Sequence, residues 1–235
     1  MDIDIGKLQK LMNQGNAHLQ VPIEFQLAIL GIDEATIKKL GQNNARGLDI
    51  ACGNGSLVKT LREKGLDFEG IDEEAPDEAY FIRQNIYGMK PMRGSIPRAD
   101  DSYGLVLSFQ NIILNRGFTL GGVLRDPSLI GGSEIYREDH TDRLIKSQYI
   151  IYEGTRVLQP QERFVCYPQL KRIDDIMGSL LRMQGIDFFH ESVDRNVVRD
   201  YIKWENETTL GTQMNFDDKF YNDWGLFNRT VLTKR

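Results

Sequence analysis

The chain has 235 residues, of which 40% are hydrophobic and 27% are charged, so it is long enough to form one large globular domain. This composition excludes a disordered chain, a collagen-like fibre and a coiled coil. With 29 basic and 34 acidic side chains, the net charge of −5 does not favour a surface that binds nucleic acid.

Cysteine and histidine are too few and too dispersed for a structural metal site. Cys52 and Cys166 lie far apart without Cys-x-x-Cys spacing, and His18, His140 and His190 are equally scattered. No run approaches the ~20 apolar residues of a membrane span, and the first ten residues do not resemble a signal peptide. We therefore expect a cytoplasmic protein with reduced thiols, no metal and no membrane contact.

Residues 1–44 are predicted to form a helical cap ahead of the main domain, which is expected to span 45–235. Apolar side chains such as Phe25 and Ile29 recur at helical spacing in this segment. Asp33 is placed to cap the helix that follows it.

From Gly47 onward, short apolar segments typical of buried strands alternate with amphipathic helical segments. The predicted strands cover 47–51, 67–72, 92–96, 103–109, 162–168, 186–191 and 227–235. The predicted helices between them cover 57–65, 76–87, 141–158 and 173–185. This alternation predicts an α/β fold with a doubly wound, mostly parallel seven-stranded sheet and helices on both faces.

Two long segments do not fit this alternation and are interpreted as insertions. Residues 110–142 are glycine-rich and follow the fourth strand, and residues 192–224 carry many aromatic side chains before the last strand. Connections of this length are often functional. Each could wall a substrate cleft or simply cover the sheet, and the sequence favours neither role.

The strongest signal for chemistry is the segment D-I-A-C-G-N-G at 49–55, where a predicted strand gives way to a helix. Its glycines, Gly53 and Gly55, allow a sharp turn and leave room for a ligand against the backbone. Asp72 ends the next strand, where a carboxylate can accept hydrogen bonds from ribose hydroxyls. A nicotinamide-binding loop would need a third glycine where Val58 stands.

The D-x-x-C-G-x-G stretch, together with Asp72 and the segments 95–109 and 153–168, resembles a class I S-adenosylmethionine-dependent methyltransferase of the Rossmann-like superfamily. The two segments are similar to those that the family shows around its fourth strand and ahead of its fifth. The resemblance spans about residues 45–190. It implies a methyltransferase fold and S-adenosyl-L-methionine as the cofactor.

The resemblance also implies a set of cofactor-binding residues. They are Asp49, Ala51, Cys52, Gly53, Asn54, Gly55, Asp72, Ser95, Ile96, Ser108, Phe109 and Gln110. By this resemblance, Asp72 would hold the ribose hydroxyls, Ser95 and Ile96 would flank the adenine, and the last three would lie beside the methyl group. The chain departs from the family's common residues at Ser95, Tyr103-Gly104 and Gln161-Glu162, which indicates a divergent member.

The implied reaction is methyl transfer by in-line displacement, which needs alignment of the acceptor above all. A base is required only where the acceptor is protonated. His140, beside Glu138 and Asp139, is the candidate base, although a surface histidine in an acidic loop is the commoner case. Tyr136 and His190 are weaker candidates.

A small molecule is the expected acceptor, and a protein side chain is the second choice. The Asp/Asn-Pro-Pro-Tyr/Phe tetrapeptide typical of base amino-methylation is absent after the fourth strand. Cys52 and Cys166 are more readily explained as packing residues than as nucleophiles for cytosine. Two other functions stay open: a cofactor-binding regulatory or complex-forming module without catalysis, and a nicotinamide oxidoreductase. The sequence does not indicate an oligomeric state.

Overall fold

The computed structural model describes residues 21–84, 95–109, 148, 150–167, 178–205, 207, 216–223 and 225–235. The strands are β1 (Arg46–Ile50), β2 (Asp67–Asp72), β3 (Phe81–Arg83), β4 (Tyr103–Phe109), β5 (Leu158–Tyr167), β6 (Ile186–Ser192) and β7 (Asn228–Lys234). The helices are α1 (Ile23–Leu30), α2 (Glu34–Gln42), α3 (Ser56–Glu63), α4 (150–157), α5 (Gly178–Met183), α6 (Arg195–Glu205) and α7 (Asp218–Asp223).

The seven strands form one sheet in the order β3-β2-β1-β4-β5-β7-β6. Strands β1 to β5 run parallel, and β7 runs antiparallel between β5 and β6. The predicted α/β fold with a mostly parallel seven-stranded sheet is therefore confirmed. Because the strand order reverses between β1 and β4, a crevice is expected at the carboxyl ends of these two strands, where open sheets of this kind bind ligands.

Helices cover both faces of the sheet. On β4, Leu105, Leu107 and Phe109 pack into one core cluster with α1, α3, α6 and α7. Val106 packs into a second cluster, on the opposite face, with side chains of α4 and α5. β4 is buried along its whole length, which explains why its sequence is apolar throughout rather than alternating.

The N-terminal helices pack against the sheet. Asp33 accepts a hydrogen bond from the backbone N–H of Thr36 at 2.7 Å, so its predicted capping role is confirmed. The guanidinium of Arg229 on β7 packs beside Gly31 and donates to the carbonyl oxygen of Ile29 at 3.0 Å. Residues 1–20 lie outside the described part of the chain, so the extent of the cap and the boundary at 44 stay predictions.

Replacing Arg229 with alanine should lower the free energy of unfolding by about 1–3 kcal/mol, because it leaves the Ile29 carbonyl without its donor and Glu191 with Arg163 as its remaining partner. Urea denaturation would measure the loss. The matched control is Arg235→Ala, which removes an exposed ion pair with Asp187 and should change stability little. Equal losses in the two variants would contradict the role given to Arg229.

The helix predicted over 76–87 is wrong where the structure describes that segment, because the strand β3 lies within it. Of the strand predicted at 92–96, only residues 95 and 96 are described, and they are not part of a strand. Phe81 packs with one face of the sheet and Ile82 with the other, an alternation that a strand permits and a helix does not. Gly70 on β2 leaves room for the Phe81 ring, since a Cβ there would lie 2.8 Å from it. Residues 85–94 are outside the described part.

One other predicted boundary is wrong. The helix predicted to end at about 158 stops at 157, as expected, but β5 begins at Leu158 rather than at 162. The early start requires Gln161 to adopt a φ of 65°, and the pairing with β4 shifts register between Tyr103 and Leu105. The segment 192–224 is partly helical, since α6 and α7 lie within it. None of the described helices is long and apolar enough to span a membrane.

Candidate functional site

The loop at 51–55 curls tightly over the carboxyl end of β1. The backbone N–H groups of Ala51 and Cys52 both donate to the carbonyl oxygen of Ile71 on β2, at 2.8 and 3.3 Å. Ala51, Gly53 and Gly55 have φ values of 63°, 54° and 76°. Positive φ is unusual for alanine, so the loop geometry holds Ala51 in a conformation that favours glycine.

The two glycines of the loop have different surroundings. A Cβ on Gly53 would meet nothing within 4 Å, so this part of the loop faces open space. A Cβ on Gly55 would overlap the ring of Phe81. Gly53 is therefore placed to let a ligand approach the backbone, whereas Gly55 serves the turn and the packing of Phe81, a residue that the sequence reasoning missed.

Asn54 and Cys52 have structural roles in the loop. The Asn54 Oδ1 accepts from the Ser56 backbone N–H at 3.2 Å and from its hydroxyl at 2.9 Å, a local turn that leads into α3. Cys52 is buried, and its Sγ would lie 2.7 Å from a Cβ on Gly70. Burial raises the pKa of the Cys52 thiol, as do the charges of Asp49 and Asp72, so the thiol stays protonated. This arrangement fits a packing residue rather than a nucleophile.

Asp72 ends β2 directly beside the loop. One carboxylate oxygen accepts from the backbone N–H of Gly53 at 3.0 Å, and the other accepts from that of Glu74 at 2.9 Å. The glycine turn and Asp72, which the sequence analysis assigned to one ligand site, therefore lie in contact. The side chain is only half-buried, which leaves it accessible to a ligand.

Asp49 lies near the end of β1 with 3% of its surface exposed. Burial, and to a lesser extent the charge of Asp72, raise its pKa to about 8. Within the described part of the chain, no hydrogen bond or ion pair reaches its carboxyl group. A buried carboxyl without a partner is costly to ionise, so Asp49 stays protonated unless a cationic group binds beside it.

Two other candidates lie at the end of β4. Phe109 stacks on Tyr167 with ring centroids 5.5 Å apart and packs edge-on against Tyr201, so it belongs to the core. Ser108 is fully buried, and its hydroxyl finds no hydrogen-bond partner among the described residues. Gln110, the third candidate of this group, lies outside the described part.

The resemblance implies that Ser95 and Ile96 both flank the adenine, but the structure buries the Ile96 side chain and leaves only Ser95 accessible. Ile96 is 1% exposed, with its side chain in the core on the α4 face of the sheet. Its backbone N–H donates to Glu153 at 2.9 Å, and its carbonyl accepts from Arg156 at 2.8 Å. Ser95 is only partly buried and is the more accessible of the two. Glu153 and Arg156 were missed, although their three-residue spacing in a predicted helix was a usable signal.

His190, the one candidate base that the structure describes, lies away from this site. His190 lies on β6 with its Nδ1 3.1 Å from the Thr230 hydroxyl. Because β4, β5 and β7 separate β6 from β1, its candidacy is wrong. His140 and Tyr136 lie outside the described residues. Cys166 is fully buried in β5 with its pKa raised by burial, which again fits packing.

Comparisons with known proteins agree with this architecture. A model of the family described as "Methionine biosynthesis protein MetW" matches residues 32–118, a little over a third of the chain. This match covers β1, the glycine loop, β2 and β4, on which much of the sequence resemblance rests. The order of the described strands agrees with the class I methyltransferase fold that the sequence resemblance implies.

Solved structures to which the chain is similar include two named methyltransferases. A TehB-like SAM-dependent methyltransferase from Corynebacterium glutamicum is 16% identical, with 98% of this chain and 97% of that chain covered and a TM-score of 0.43. Magnesium protoporphyrin IX methyltransferase from Synechocystis, solved with bound SAM, is 12% identical, with 99% and 92% covered and a TM-score of 0.42. Among curated proteins, no sequence matches this chain.

Proposed function

We propose that the chain binds S-adenosyl-L-methionine at the carboxyl edge of β1, β2 and β4 and transfers its methyl group to a small-molecule acceptor. The observation that carries the proposal is the placement of Asp72, which accepts from the Gly53 backbone N–H beside the open space at that glycine. The buried carboxyl of Asp49 lies close enough to Asp72 for the charge of Asp72 to raise its pKa. A cationic nucleoside suits this arrangement, because one carboxyl can face positive charge while the other accepts from ribose hydroxyls.

The residues present fit such a ligand. Each Asp72 oxygen already accepts one backbone N–H and keeps a second lone pair for a ribose hydroxyl. Gly53 allows the ligand to approach the backbone closely, and Asp49 provides a carboxyl with no competing partner in the described structure. Ser95, the more accessible of the two candidates for this contact, is proposed to contact the adenine. When bound, the cofactor supplies an electrophilic methyl group on a sulfonium sulfur.

The remaining work of the protein is to align the acceptor and exclude water. Ser108 and Gln110 are proposed to flank the methyl group, whereas Phe109 supports them from the core, and His140 is proposed to accept a proton from an acceptor that carries one. The roles of Gln110 and His140 rest on the sequence alone. The helical cap and the two insertions are proposed to roof the cleft.

A small-molecule acceptor is favoured over nucleic acid by the net charge of −5. The description of the matching family, methionine biosynthesis, also concerns small-molecule metabolism. The competing function is a module that binds the cofactor without catalysis.

Isothermal calorimetry with S-adenosyl-L-methionine and S-adenosylhomocysteine tests the first step. We expect both to bind to one site per chain, whereas NAD(H) should not bind. Absence of binding by either sulfur nucleoside would overturn the proposal. Tight binding without a methylated product from a broad panel of small-molecule acceptors would instead support the non-catalytic module.

Replacing Asp72 with alanine should weaken cofactor binding by about 1–3 kcal/mol, because the ribose hydroxyls lose their charged acceptor. Titration calorimetry measures the change in dissociation constant. Asp77→Ala, an exposed residue of the same acidic connection, removes the same charge without touching the glycine loop and should leave the affinity unchanged. An unaltered dissociation constant in Asp72→Ala would remove Asp72 from the site.

A further inference from the structure

A pair of buried charged side chains on α4 holds the connection that precedes β4. The Glu153 carboxylate accepts from the Ile96 backbone N–H at 2.9 Å, and the Arg156 guanidinium donates to the Ile96 carbonyl at 2.8 Å. Arg156 also donates to the carbonyl of Arg98 at 2.9 Å and to the Asp100 carboxylate at 2.8 Å. The two side chains thus bind the segment 95–101 at three successive points.

The Glu153–Arg156 pair is deeply buried, and its two opposite charges bind each other directly. The Glu153 and Arg156 side chains are 1% and 7% exposed and are joined by two hydrogen bonds of 2.8 and 2.9 Å. Hydrogen bonding to Glu153, more than any other cause, raises the pKa of Arg156, so the guanidinium stays charged. A buried ion pair adds little net stability compared with apolar packing, but its geometry is strongly directional. Its effect is therefore to fix where the segment lies.

The fixed segment borders the proposed adenine position. The single N–H of Ile96 is taken by Glu153, so it is not available to a ligand, and the Ile96 carbonyl is held by Arg156. The Ser95 carbonyl is held by the Gln84 amide at 2.8 Å, which anchors the other end of the segment. A base that lies here would meet a preformed wall around Ser95 rather than a mobile loop.

We propose that Glu153 and Arg156 are positioning residues that hold segment 95–101 as a preformed wall for the adenine of the cofactor, and so set the affinity for the base. This inference rests on the proposed function. Because the segment is already ordered, ligand binding does not include the entropic cost of ordering it. Weakening the pair should therefore affect only ligands that carry the base.

The test compares two ligands in an Arg156→Lys variant, which keeps the charge but loses the planar fork. S-adenosylhomocysteine carries the base, and S-ribosylhomocysteine keeps the sugar and amino acid without it. We expect the dissociation constant of the first to rise about tenfold, while that of the second changes by less than about twofold. Glu153→Gln, which keeps an acceptor for the Ile96 N–H, should shift the ratio in the same direction by less.

Arg229→Lys is the matched control, since it alters another largely buried guanidinium far from the segment and should leave the ratio unchanged. Circular dichroism and thermal melting verify that each variant is folded. A folded Arg156→Lys or Glu153→Gln variant with both dissociation constants unaltered, or with both raised equally, would overturn the inference. A wild-type chain that binds neither ligand would instead overturn the proposed function, and the two failures are thereby distinguished.

Discussion

An Asp49→Asn variant is expected to be more stable than the wild type and to lose most of its cofactor affinity. The carboxyl is buried without a partner in the described structure, so replacing it with a neutral isostere removes the penalty of ionisation. The same substitution removes the negative charge that is proposed to face the cationic ligand. Urea denaturation and titration calorimetry on one protein preparation measure the two effects.

The stability gain of Asp49→Asn over the wild type should increase as pH rises. The pKa of Asp49 is 3.8 in its ordinary state and about 8 in the folded chain. Between these values the unfolded chain releases the proton and the folded chain keeps it, so the wild type loses stability as pH rises. The variant does not titrate here, and its advantage should grow by on the order of 1 kcal/mol per pH unit from pH 4 to 8.

Glu69→Gln provides the opposite case. Glu69 is a buried carboxylate that accepts hydrogen bonds from Arg46, Arg98 and Tyr103. Burial alone would raise its pKa, but the hydrogen bonds from Arg98 and Tyr103 outweigh burial and lower it. Its contribution to stability is present above the ordinary pKa and lost as pH falls, so Glu69→Gln should destabilise the chain at pH 7.

If Asp49→Asn is instead less stable than the wild type, as Glu69→Gln is expected to be, the absence of a partner at Asp49 is contradicted.

Cofactor binding should also be linked to Asp49. At pH 7 the carboxyl is mostly protonated in the free chain, and a cationic ligand would lower its pKa and release the proton. Calorimetry in buffers of different ionisation enthalpy should detect this release near neutral pH, and the affinity should rise as pH approaches 8. Proton release that persists in Asp49→Asn would assign it to another group.

The parts of the fold that the sequence predicted well are those where one physical effect dominates. β2 and β4 were predicted with the correct bounds because they are short apolar runs between turns. The cap at Asp33 was predicted because a carboxylate before a helix has a single obvious role. The glycine loop and Asp72 were also paired correctly, since the ends of neighbouring parallel strands meet at one edge of the sheet.

The parts that were missed depend on tertiary contacts. β3 could not be distinguished from a helix, because its three residues become a strand only where Gly70 leaves room for the Phe81 ring. The burial of Ile96 depends on Glu153 and Arg156, which lie more than fifty residues away in the chain. Local propensity contains no information about such distant pairings.

A Gly53→Ala variant is expected to weaken cofactor binding at least about tenfold while the fold stays intact. The new methyl group would enter the open space beside the loop, where the ligand is proposed to approach the backbone. Its φ of 54° makes alanine there unfavourable by about 1–2 kcal/mol, a cost that applies with or without a ligand. Calorimetry with S-adenosylhomocysteine measures the binding loss, and thermal melting measures the stability loss.

Gly65→Ala separates these two effects. Gly65 has a φ of 83°, a Cβ there would also meet nothing within 4 Å, and it follows the end of α3 away from the loop. The two variants should therefore lose similar stability, but only Gly53→Ala should lose affinity. Gly55→Ala should instead be the least stable of the three, because its Cβ would overlap Phe81. If Gly53→Ala binds the ligand as the wild type does, the space beside Gly53 is not where the cofactor lies, because a methyl group cannot share that volume with it.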